Sequence, residues 1–267
     1  KTKPKSILSL LCLLALTSFF TGCGEDDAVI AKPTVVEPET TEPEVADPEI
    51  AETVISEEQT QVRGDGLVYA LNDEKPFTGA TVNSYMRGPK MRERRYKNGK
   101  RHGTWTTWLR TGQKYSEFIY KNGEKDGIQT EWFRNGQKRK ESSYKDGEQD
   151  GMFTSWYENG NRKWERRYKN GIKDGKWTEW LEDGQKWAEE SYKDGQKDGK
   201  WTNWREDGRI SSEGSYKDGQ KDGMWTEWYF WQKSEGSYKD GQKDGKWTTW
   251  WANGQKKSEI YYKNGQE

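Results

Sequence analysis

The sequence contains little cysteine, histidine or aliphatic side chain. Its 267 residues include two cysteines, Cys12 and Cys23, and one histidine, His102. These counts exclude a disulfide framework in the body of the chain, a zinc site of cysteine and histidine, and a catalytic triad with a histidine far from the N-terminus. Hydrophobic residues form only 30% of the chain, whereas globular domains usually have about 45–50%. One large aliphatic core is therefore excluded.

Aromatic residues and glycine are abundant instead. The chain has 16 Trp, 14 Tyr and 29 Gly. Disordered chains are poor in aromatic residues, so part of this chain must fold around them. The formal net charge of zero hides two charged regions. Residues 24–62 carry twelve acids and one base, whereas residues 63–267 carry 41 bases and 33 acids, a net charge of +8.

The N-terminus predicts an export signal. Lys1, Lys3 and Lys5 precede a run of apolar or small residues over residues 7–20. This run of about fourteen residues is shorter than the ~20 that a membrane-spanning helix needs. A positive segment followed by such a run is typical of a signal peptide, which we assign to residues 1–22.

Residues 20–23 read Phe-Thr-Gly-Cys and resemble a bacterial lipobox. The resemblance implies cleavage before Cys23 and diacylation of its sulfur. Gly24 follows it in place of the Asp that retains such lipoproteins in the inner membrane, which implies the outer membrane. The alternative is an ordinary secretory signal cleaved near Gly22, with Cys23 a free thiol.

Residues 23–63 are acidic and rich in proline. Pro33, Pro38, Pro43 and Pro48 recur every five residues among the acids. Like charges repel and proline favours extended geometry, and the segment has too little apolar surface to offset its ordering entropy. We predict a disordered, lipid-anchored spacer, with an acidic interaction tail as the alternative.

The rest of the chain is an internal repeat. The dipeptide Tyr-Lys recurs with a spacing of 24 residues, except for one interval of 22. It begins at Tyr96, Tyr120, Tyr144, Tyr168, Tyr192, Tyr216, Tyr238 and Tyr262. Each unit reads Tyr-Lys-Asp/Asn-Gly-x-x-Asp-Gly-x-Trp-Thr-x-Trp, followed by a loop with Gly-Gln-Lys. A fixed period indicates a stacked repeat array, which we assign to residues 96–267. Residues 64–95 are a divergent capping repeat, in which Tyr85 replaces the second Trp.

The repeat predicts an all-β fold, an elongated antiparallel β-meander ribbon of about seven hairpin units. Asn-Gly and Asp-Gly between aromatic runs predict type I′ turns, because both central residues of such turns need positive φ. Examples are Asn98-Gly99, Asp218-Gly219 and Asp207-Gly208. No stretch has helical periodicity, and no proline follows Pro89.

Two aromatic rows are expected to hold the ribbon together. Trp201 and Trp204 are three residues apart, so they lie on opposite faces of a strand, with Thr202 beside Trp204. Small residues such as Gly214 and Gly236 leave room for a neighbouring ring. The second row is invariant and is predicted to be the structural aromatic core: Trp108, Trp132, Trp156, Trp180, Trp204, Trp228 and Trp250.

The first row contains Gln129, which suggests that it tolerates water and faces outward. It supplies most of the candidate binding aromatics. These are Trp105, Phe153, Trp177, Trp201, Trp225, Trp231 and Trp247. Residues 228–232 lack the glycine turn and are two residues short. An even deletion preserves the alternation of faces, so we predict a tighter turn with Trp231 near the surface.

The unit resembles the MORN repeat variant of bacteria over about residues 66–267. The resemblance implies a β-meander ribbon and a binding role, and it identifies no catalytic residue or ligand. Bacterial proteins with this repeat include YwqK-type antitoxins, which are presumed to neutralise a toxin by binding it.

Three motifs contain residue types that can support calcium binding or catalysis. Asp194 and Asp198 resemble part of a calcium loop, but calcium needs six to eight oxygens and lysines lie between, so turns are predicted. The repeated glutamate does not form a unique glycosidase site, so pairing with lysine is predicted. It recurs at Glu93, Glu117, Glu141, Glu165, Glu189, Glu213, Glu235 and Glu259. His102 is predicted to be a turn residue, and no catalytic residue, metal or cofactor is expected.

These observations predict a non-enzymatic lipoprotein of the bacterial cell envelope that acts as a protein-binding scaffold or adaptor through its sheet surface. One alternative is an envelope glycan-binding module, in which exposed Trp side chains at equivalent sites gain avidity for a polymer. Another is an antitoxin or immunity-type protein. The expected partners are the membrane, through the lipid, and a protein or an envelope polysaccharide. Nucleic acid is not expected, because the N-terminus predicts export.

Overall fold

The structure is a computed structural model that describes residues 53–267. The predicted signal peptide, Cys23 and most of the predicted spacer lie outside the described residues. Within residues 53–267 there is no α-helix, and no helix long and apolar enough to cross a membrane.

The described residues form 23 strands and one short 3-10 helix, Glu57–Gln59. In chain order, β1 to β23 are Val54–Ser56, Thr60–Val62, Val68–Ala70, Gly79–Ser84, Lys90–Lys97, Lys100–Arg101, Gly103–Trp108, Lys114–Lys121, Glu124–Lys125, Gly127–Trp132, Lys138–Lys145, Glu148–Trp156, Arg162–Lys169, Ile172–Trp180, Lys186–Lys193, Gln196–Lys197, Gly199–Trp204, Ile210–Lys217, Gln220–Lys221, Gly223–Trp228, Gln232–Lys239, Gln242–Trp251 and Lys256–Tyr262.

Twenty-one of these strands form one sheet, and β2 pairs with β3 in a separate small sheet. From β4 to β23 the large sheet is an antiparallel meander, in which each long strand pairs with its neighbours in sequence. The predicted all-β meander of hairpin repeats is confirmed.

The Asn-Gly or Asp-Gly that follows each Tyr-Lys forms a tight hairpin turn. Lys193 pairs with Gln196, so Asp194 and Gly195 alone connect the strands. Both have positive φ, 48° and 84°. Two positive φ values define the type I′ turn, as predicted.

The turn at Asp207-Gly208 is of another kind. Arg205 N–H donates to the carbonyl oxygen of Arg209 at 2.8 Å, and Gly208 N–H donates to that of Arg205 at 2.9 Å. Gly208 has positive φ, whereas Asp207 does not. The prediction of a type I′ turn here is wrong, because this longer loop needs only one left-handed residue.

The second Asp-Gly of a unit forms a bulge, either inside a strand or between two short strands. In the unit that ends at Trp180, the register shifts at residues 174–176, which lie opposite Arg167 alone. Gly175 in this bulge has a φ of 87°. The bulge leaves the carbonyl oxygen of Arg167 accessible to a side chain as well as to the backbone, and the Trp177 indole uses it.

The first edge of the sheet is covered by the end of the predicted spacer. Residues 54–62 form β1, the 3-10 helix and β2, so the predicted disorder up to residue 63 is wrong there. Strand β1 pairs in parallel with β4. The Glu57 carboxylate forms ion pairs with Arg94 and Arg92 on β5, which gives this acidic segment a cationic docking site.

The register of the capping repeat differs by one residue from the prediction. Ser84 pairs with Lys90 as Trp108 pairs with Lys114, so Ser84 and not Tyr85 takes the place of the second Trp. Tyr85 begins the loop, and its hydroxyl donates to the Trp108 carbonyl oxygen at 2.9 Å.

The two faces of the sheet carry different side chains. Trp201 pairs with Gly214, and its ring centroid lies 5.3 Å from that of Tyr216; we call this side the Tyr face. Thr202 lies on the other side with Trp204, which we call the Thr face. As predicted, both faces carry a Trp row.

Candidate binding groove in the irregular repeat

The Tyr face is held together by a ladder of alternating Trp and Tyr rings. From Trp201 to Trp247, consecutive ring centroids lie 5.3, 5.3, 6.0 and 5.1 Å apart, mostly edge to face. Such geometry suits the ring quadrupoles and adds about 0.5–1.5 kcal/mol per pair beyond area burial.

Glycines make room for the rings, as predicted. A Cβ atom at Gly214 would lie 2.2 Å from the Trp225 ring, and one at Gly236 would lie 2.3 Å from the Trp247 ring. The indoles of this ladder therefore lie directly on the backbone of the neighbouring strand.

The predicted exposure of this row is wrong for most of its members. Trp177, Trp225 and Trp247 are buried, with Trp225 only 3% exposed. Trp105, Phe153 and Trp201 are half-buried. Trp231, the candidate binding aromatic outside this row, is 64% exposed as predicted.

The invariant row lies half-buried on the Thr face. Its members are Trp108, Trp132, Trp156, Trp180, Trp204, Trp228 and Trp250. The assignment of binding and core roles to the two rows stays a prediction, but the more buried indoles belong to the row expected to face outward.

An indole hydrogen bond explains this reversal. Trp225 Nε1 donates to the carbonyl oxygen of Ser215 at 3.0 Å, and Trp177 Nε1 donates to that of Arg167 at 3.1 Å. In each case the acceptor is the bulge residue. A buried indole N–H needs such a partner, so the bulge and the buried Trp occur together.

Gln129 makes the same bond. Its Nε2 donates to the carbonyl oxygen of Ile119 at 2.9 Å, and the side chain is only 3% exposed. The inference that this glutamine marks a water-tolerant row is therefore wrong, because its amide replaces the indole as donor inside the sheet.

Lysines cover the ladder from the side. Lys197 Nζ lies 3.5 Å from the Trp201 ring centroid and 5.1 Å from that of Tyr216. Burial lowers the pKa of Lys197, although the nearby Glu190 carboxylate opposes this. The repeated Lys before Asp-Gly thus serves the packing of the rings.

On the Thr face, the repeated glutamates form ion pairs, as predicted. Lys186 Nζ lies 2.6 Å from the Glu189 carboxylate and 5.5 Å from the Trp204 ring centroid. Burial raises the pKa of Glu189, but the ion pairs with Lys186 and Lys176 outweigh it and leave the pKa below its ordinary value. Within residues 53–267, no three His, Cys, Asp or Glu side chains are grouped as a metal site requires.

The loops between units stack along one edge of the sheet. In a regular loop, Leu109 N–H donates to the carbonyl oxygen of Gln113 at 2.8 Å. Adjacent loops are joined by side chains: Asn135 Nδ2 donates to the Glu158 carbonyl oxygen at 2.9 Å. Along this edge, loops of equal length therefore stack on one another and are joined by hydrogen bonds.

The irregular unit interrupts this stacking. Tyr229 N–H donates to the carbonyl oxygen of Gln232 at 2.7 Å, so only Phe230 and Trp231 remain in the turn. Neither residue has positive φ. The predicted tighter turn is confirmed, and Ala252 N–H ties it to the next loop through the Trp231 carbonyl oxygen at 2.9 Å.

A groove of about 710 Å³ lies at the short turn. Two indoles, Trp228 and Trp250, form its floor, and Lys233 Nζ lies 5.7 and 5.2 Å from their ring centroids. Phe230 and Trp251 stand exposed at its sides, Phe230 at 83%. The side chains that line the groove include three cations and no carboxylate.

Arg205 is fixed at one wall. Its guanidinium donates to the Trp228 carbonyl oxygen and lies 5.3 Å from the Phe230 ring centroid. The Tyr229 hydroxyl donates to the Glu227 carboxylate at 2.7 Å. This bond, together with burial, raises the pKa of Tyr229 to about 12, so the hydroxyl stays protonated at neutral pH.

Sequence reasoning singled out Trp231, which lies in the short turn but not in the groove lining. It missed Arg205, Phe230 and Trp251, which line the groove. A signal was present in the repeat itself. Phe230 and Trp231 replace polar loop residues. Trp251, in contrast, stands at a position that regular units also fill with aromatic residues, Phe133 and Tyr157. Large aromatic side chains substituted into a shortened loop are not needed for a turn.

The fold and groove define an all-β repeat protein whose regular array contains one altered unit. The family model of the MORN repeat variant matches six segments of the chain. They are residues 101–122, 125–146, 149–170, 173–194, 197–218 and 243–264. These six segments are MORN repeats of the variant type, as the sequence pattern predicts. They leave out residues 219–242, the unit that contains the short turn. A search of curated proteins finds no match for the chain.

Proposed function

We propose that the protein is a non-enzymatic scaffold of the bacterial cell envelope that binds a protein partner at the loop edge of its repeat sheet. The observation that supports this is the groove at the short turn. Natural surfaces rarely expose contiguous apolar patches without a use, and the aromatic side chains here are not needed to close the turn. Aromatic residues and arginine also dominate the binding energy of protein interfaces.

The distribution of acidic side chains supports a binding role over catalysis. The repeated glutamates, such as Glu117 and Glu189, are engaged by lysines in successive units. An acid or base catalyst instead needs a distinct environment that sets it apart from its copies.

A protein partner fits the groove better than a neutral glycan. Sugar hydroxyls need acceptors, and the groove lining contains no carboxylate. The amide oxygen of Gln232 already accepts a hydrogen bond from Lys257 Nζ at 2.9 Å. An antitoxin role is harder to reconcile with the predicted export signal, because a cytosolic toxin would be out of reach.

The location rests on the lipobox-like residues 20–23, and it has its own test. Metabolic labelling with a radioactive fatty acid should label the wild-type chain and not Cys23→Ala. Label retained in the variant would contradict the lipid anchor without bearing on the groove.

The binding role is tested by affinity capture from detergent-solubilised envelope, with bound proteins identified by mass spectrometry. The full-length wild-type chain should retain a specific protein that the double variant Phe230→Ser, Trp231→Ser loses. Met86→Ser is the matched control, because Met86 is an exposed apolar residue in a loop far from this groove. A partner retained equally by all three chains would place binding elsewhere, and capture of envelope glycan alone would favour the glycan-binding alternative.

A further inference from the structure

We propose that the groove binds an acidic linear peptide segment with a large apolar side chain between its carboxylates. This inference rests on the proposed function and names the chemistry of the partner. It depends on three properties of the groove: its origin in loop stacking, its apolar floor and the cations in and beside its lining.

The space exists because one loop of the stack is short. A Cβ atom at Gly208 would lie 2.8 Å from the side chain of Gln185 in the preceding loop, so regular loops touch. The equivalent Gly254, beside the short turn, has no atom within 4 Å of its Cβ position, as is also true of Gly112 beside the loop of the capping repeat. The turn at Phe230 and Trp231 is too short to reach Gly254, and the groove occupies that gap.

The floor suits one bulky apolar side chain. Trp228 and Trp250 are half-buried side by side, and Lys233 lies across both rings. Phe230 and Trp251 extend the same surface upward on the two sides of the groove. An aromatic or branched aliphatic side chain would displace water from these rings, which is the usual source of binding energy in such a pocket.

Among the described residues, one cation in the groove lining and one beside it have no carboxylate partner. Arg209 and Lys233 are paired with Asp207 and Glu235 at 3.1 and 2.5 Å. Arg205 donates to a backbone carbonyl oxygen, and within residues 53–267 it forms no ion pair.

Lys257 is the second such cation. Its Nζ donates to Gln232 and lies 4.2 Å from the Trp251 ring centroid. It too forms no ion pair with a described residue. Arg205 lines the groove from the loop before the short turn, whereas Lys257 lies outside the lining and contacts two lining residues after that turn, Gln232 and Trp251.

The Arg205 guanidinium and the Lys257 ammonium favour a ligand in which carboxylates lie on both sides of one apolar side chain. Arginine presents a planar fork that matches a carboxylate, and its position is already fixed by the Trp228 carbonyl oxygen and the Phe230 ring. A flat lipid surface would touch Phe230 but would not reach the floor. The geometry therefore favours an extended acidic peptide.

The test is fluorescence polarisation with the full chain and a fluorescein-labelled peptide, Gly-Ser-Glu-Glu-Trp-Leu-Glu-Glu-Ser-Gly. Two matched peptides carry Lys for each Glu, or Ser for Trp and Leu. The acidic peptide should bind at least tenfold more tightly than either. Its affinity should fall as salt rises, since exposed charge pairs are screened.

Variants identify the site. Arg205→Gln and Lys257→Gln should each weaken binding of the acidic peptide by up to about fivefold, the range for exposed charge pairs. Arg110→Gln in a regular loop should have no effect. Restoring a regular loop by replacing residues 229–232 with Leu-Glu-Asp-Gly-Gln-Lys should abolish binding, with the circular dichroism spectrum unchanged.

The outcomes separate this inference from the proposed function. Equal binding of the acidic and lysine peptides, no peptide binding, or binding only to anionic phospholipid vesicles would overturn the acidic-peptide inference. If Phe230-dependent capture of a protein persists and the acidic peptide does not compete with it, the scaffold function stands and the inference fails. If no Phe230-dependent capture occurs, the groove function itself is wrong.

Discussion

Gln129 donates its side-chain amide to the carbonyl oxygen of Ile119 at 2.9 Å, inside the sheet. Trp105 donates its indole N–H to the corresponding carbonyl oxygen of Arg95 at 2.8 Å. At most positions of this row a side-chain donor thus reaches a bulge carbonyl, and an indole or a primary amide can supply it; Phe153 occupies the row without such a donor.

We therefore expect Gln129→Leu to destabilise the array even though it adds apolar surface to a buried site. The lost hydrogen bond is worth about 0.5–1.5 kcal/mol. The Ile119 carbonyl oxygen keeps one backbone donor, Asp126 N–H at 3.1 Å, which limits the loss. Urea unfolding followed by circular dichroism measures the change.

Gln220→Leu is the control, because Gln220 is exposed at a turn. Gln129→Trp, which restores the indole donor and extends the ring ladder, should be at least as stable as the wild type. A Gln129→Leu variant as stable as the wild type would contradict the role of the hydrogen bond.

The sequence predicts the period, the hairpins, the two Trp faces and the need for Gly214 and Gly236, because these follow from residue spacing and steric size. It does not predict which Trp row is buried. That depends on the bulge at the second Asp-Gly, which reads as an ordinary turn. For the same reason the sequence does not predict that Gln129 is buried. Its hydrogen-bond acceptor is a bulge carbonyl oxygen, and the bulge cannot be recognised from the sequence.

The groove was only partly predictable. The two-residue deletion and the exposure of Trp231 follow from the repeat alignment. The cavity does not, because it depends on stacking between loops in different units. Which loops lie next to each other, and therefore where a gap forms between them, is known only once the sheet register is known.

Gly214→Ala should destabilise the array strongly. The added Cβ would lie 2.2 Å from the Trp225 ring, which is 3% exposed and packs against Tyr216 and Tyr238. Overpacking of this kind costs about 1–3 kcal/mol. The measurement is thermal unfolding.

Gly64→Ala is the matched control, since its Cβ position has no atom within 4 Å and its φ is not positive. It should unfold at the wild-type temperature. If Gly214→Ala does so too, the indole is not held as tightly as the ladder implies.

The type I′ turns should discriminate between side chains. Asp194 has a φ of 48°, a conformation that asparagine and aspartate tolerate but β-branched residues do not. We expect Asp194→Val to lower the free energy of unfolding by on the order of 1–2 kcal/mol. Asp194→Asn should leave it unchanged or raise it slightly. Equal unfolding midpoints in urea for the two variants would show that the turn relaxes out of this geometry.

Acid should weaken the Thr face through Glu189. Its pKa is lowered in the folded chain from an ordinary value of 4.5, with burial opposing and the ion pairs to Lys186 and Lys176 prevailing. A lowered folded pKa stabilises the fold fully above the unfolded pKa, and this stabilisation is lost as pH falls from about 4.5 through the folded value. Glu189→Gln should therefore lower the free energy of unfolding by up to about 1 kcal/mol at pH 7, the range for exposed ion pairs, and by little at pH 3.

Unfolding midpoints measured across this pH range should converge for the wild type and Glu189→Gln in acid. Parallel curves would contradict the assignment, and Glu206→Gln, in an exposed loop, should follow the wild type throughout.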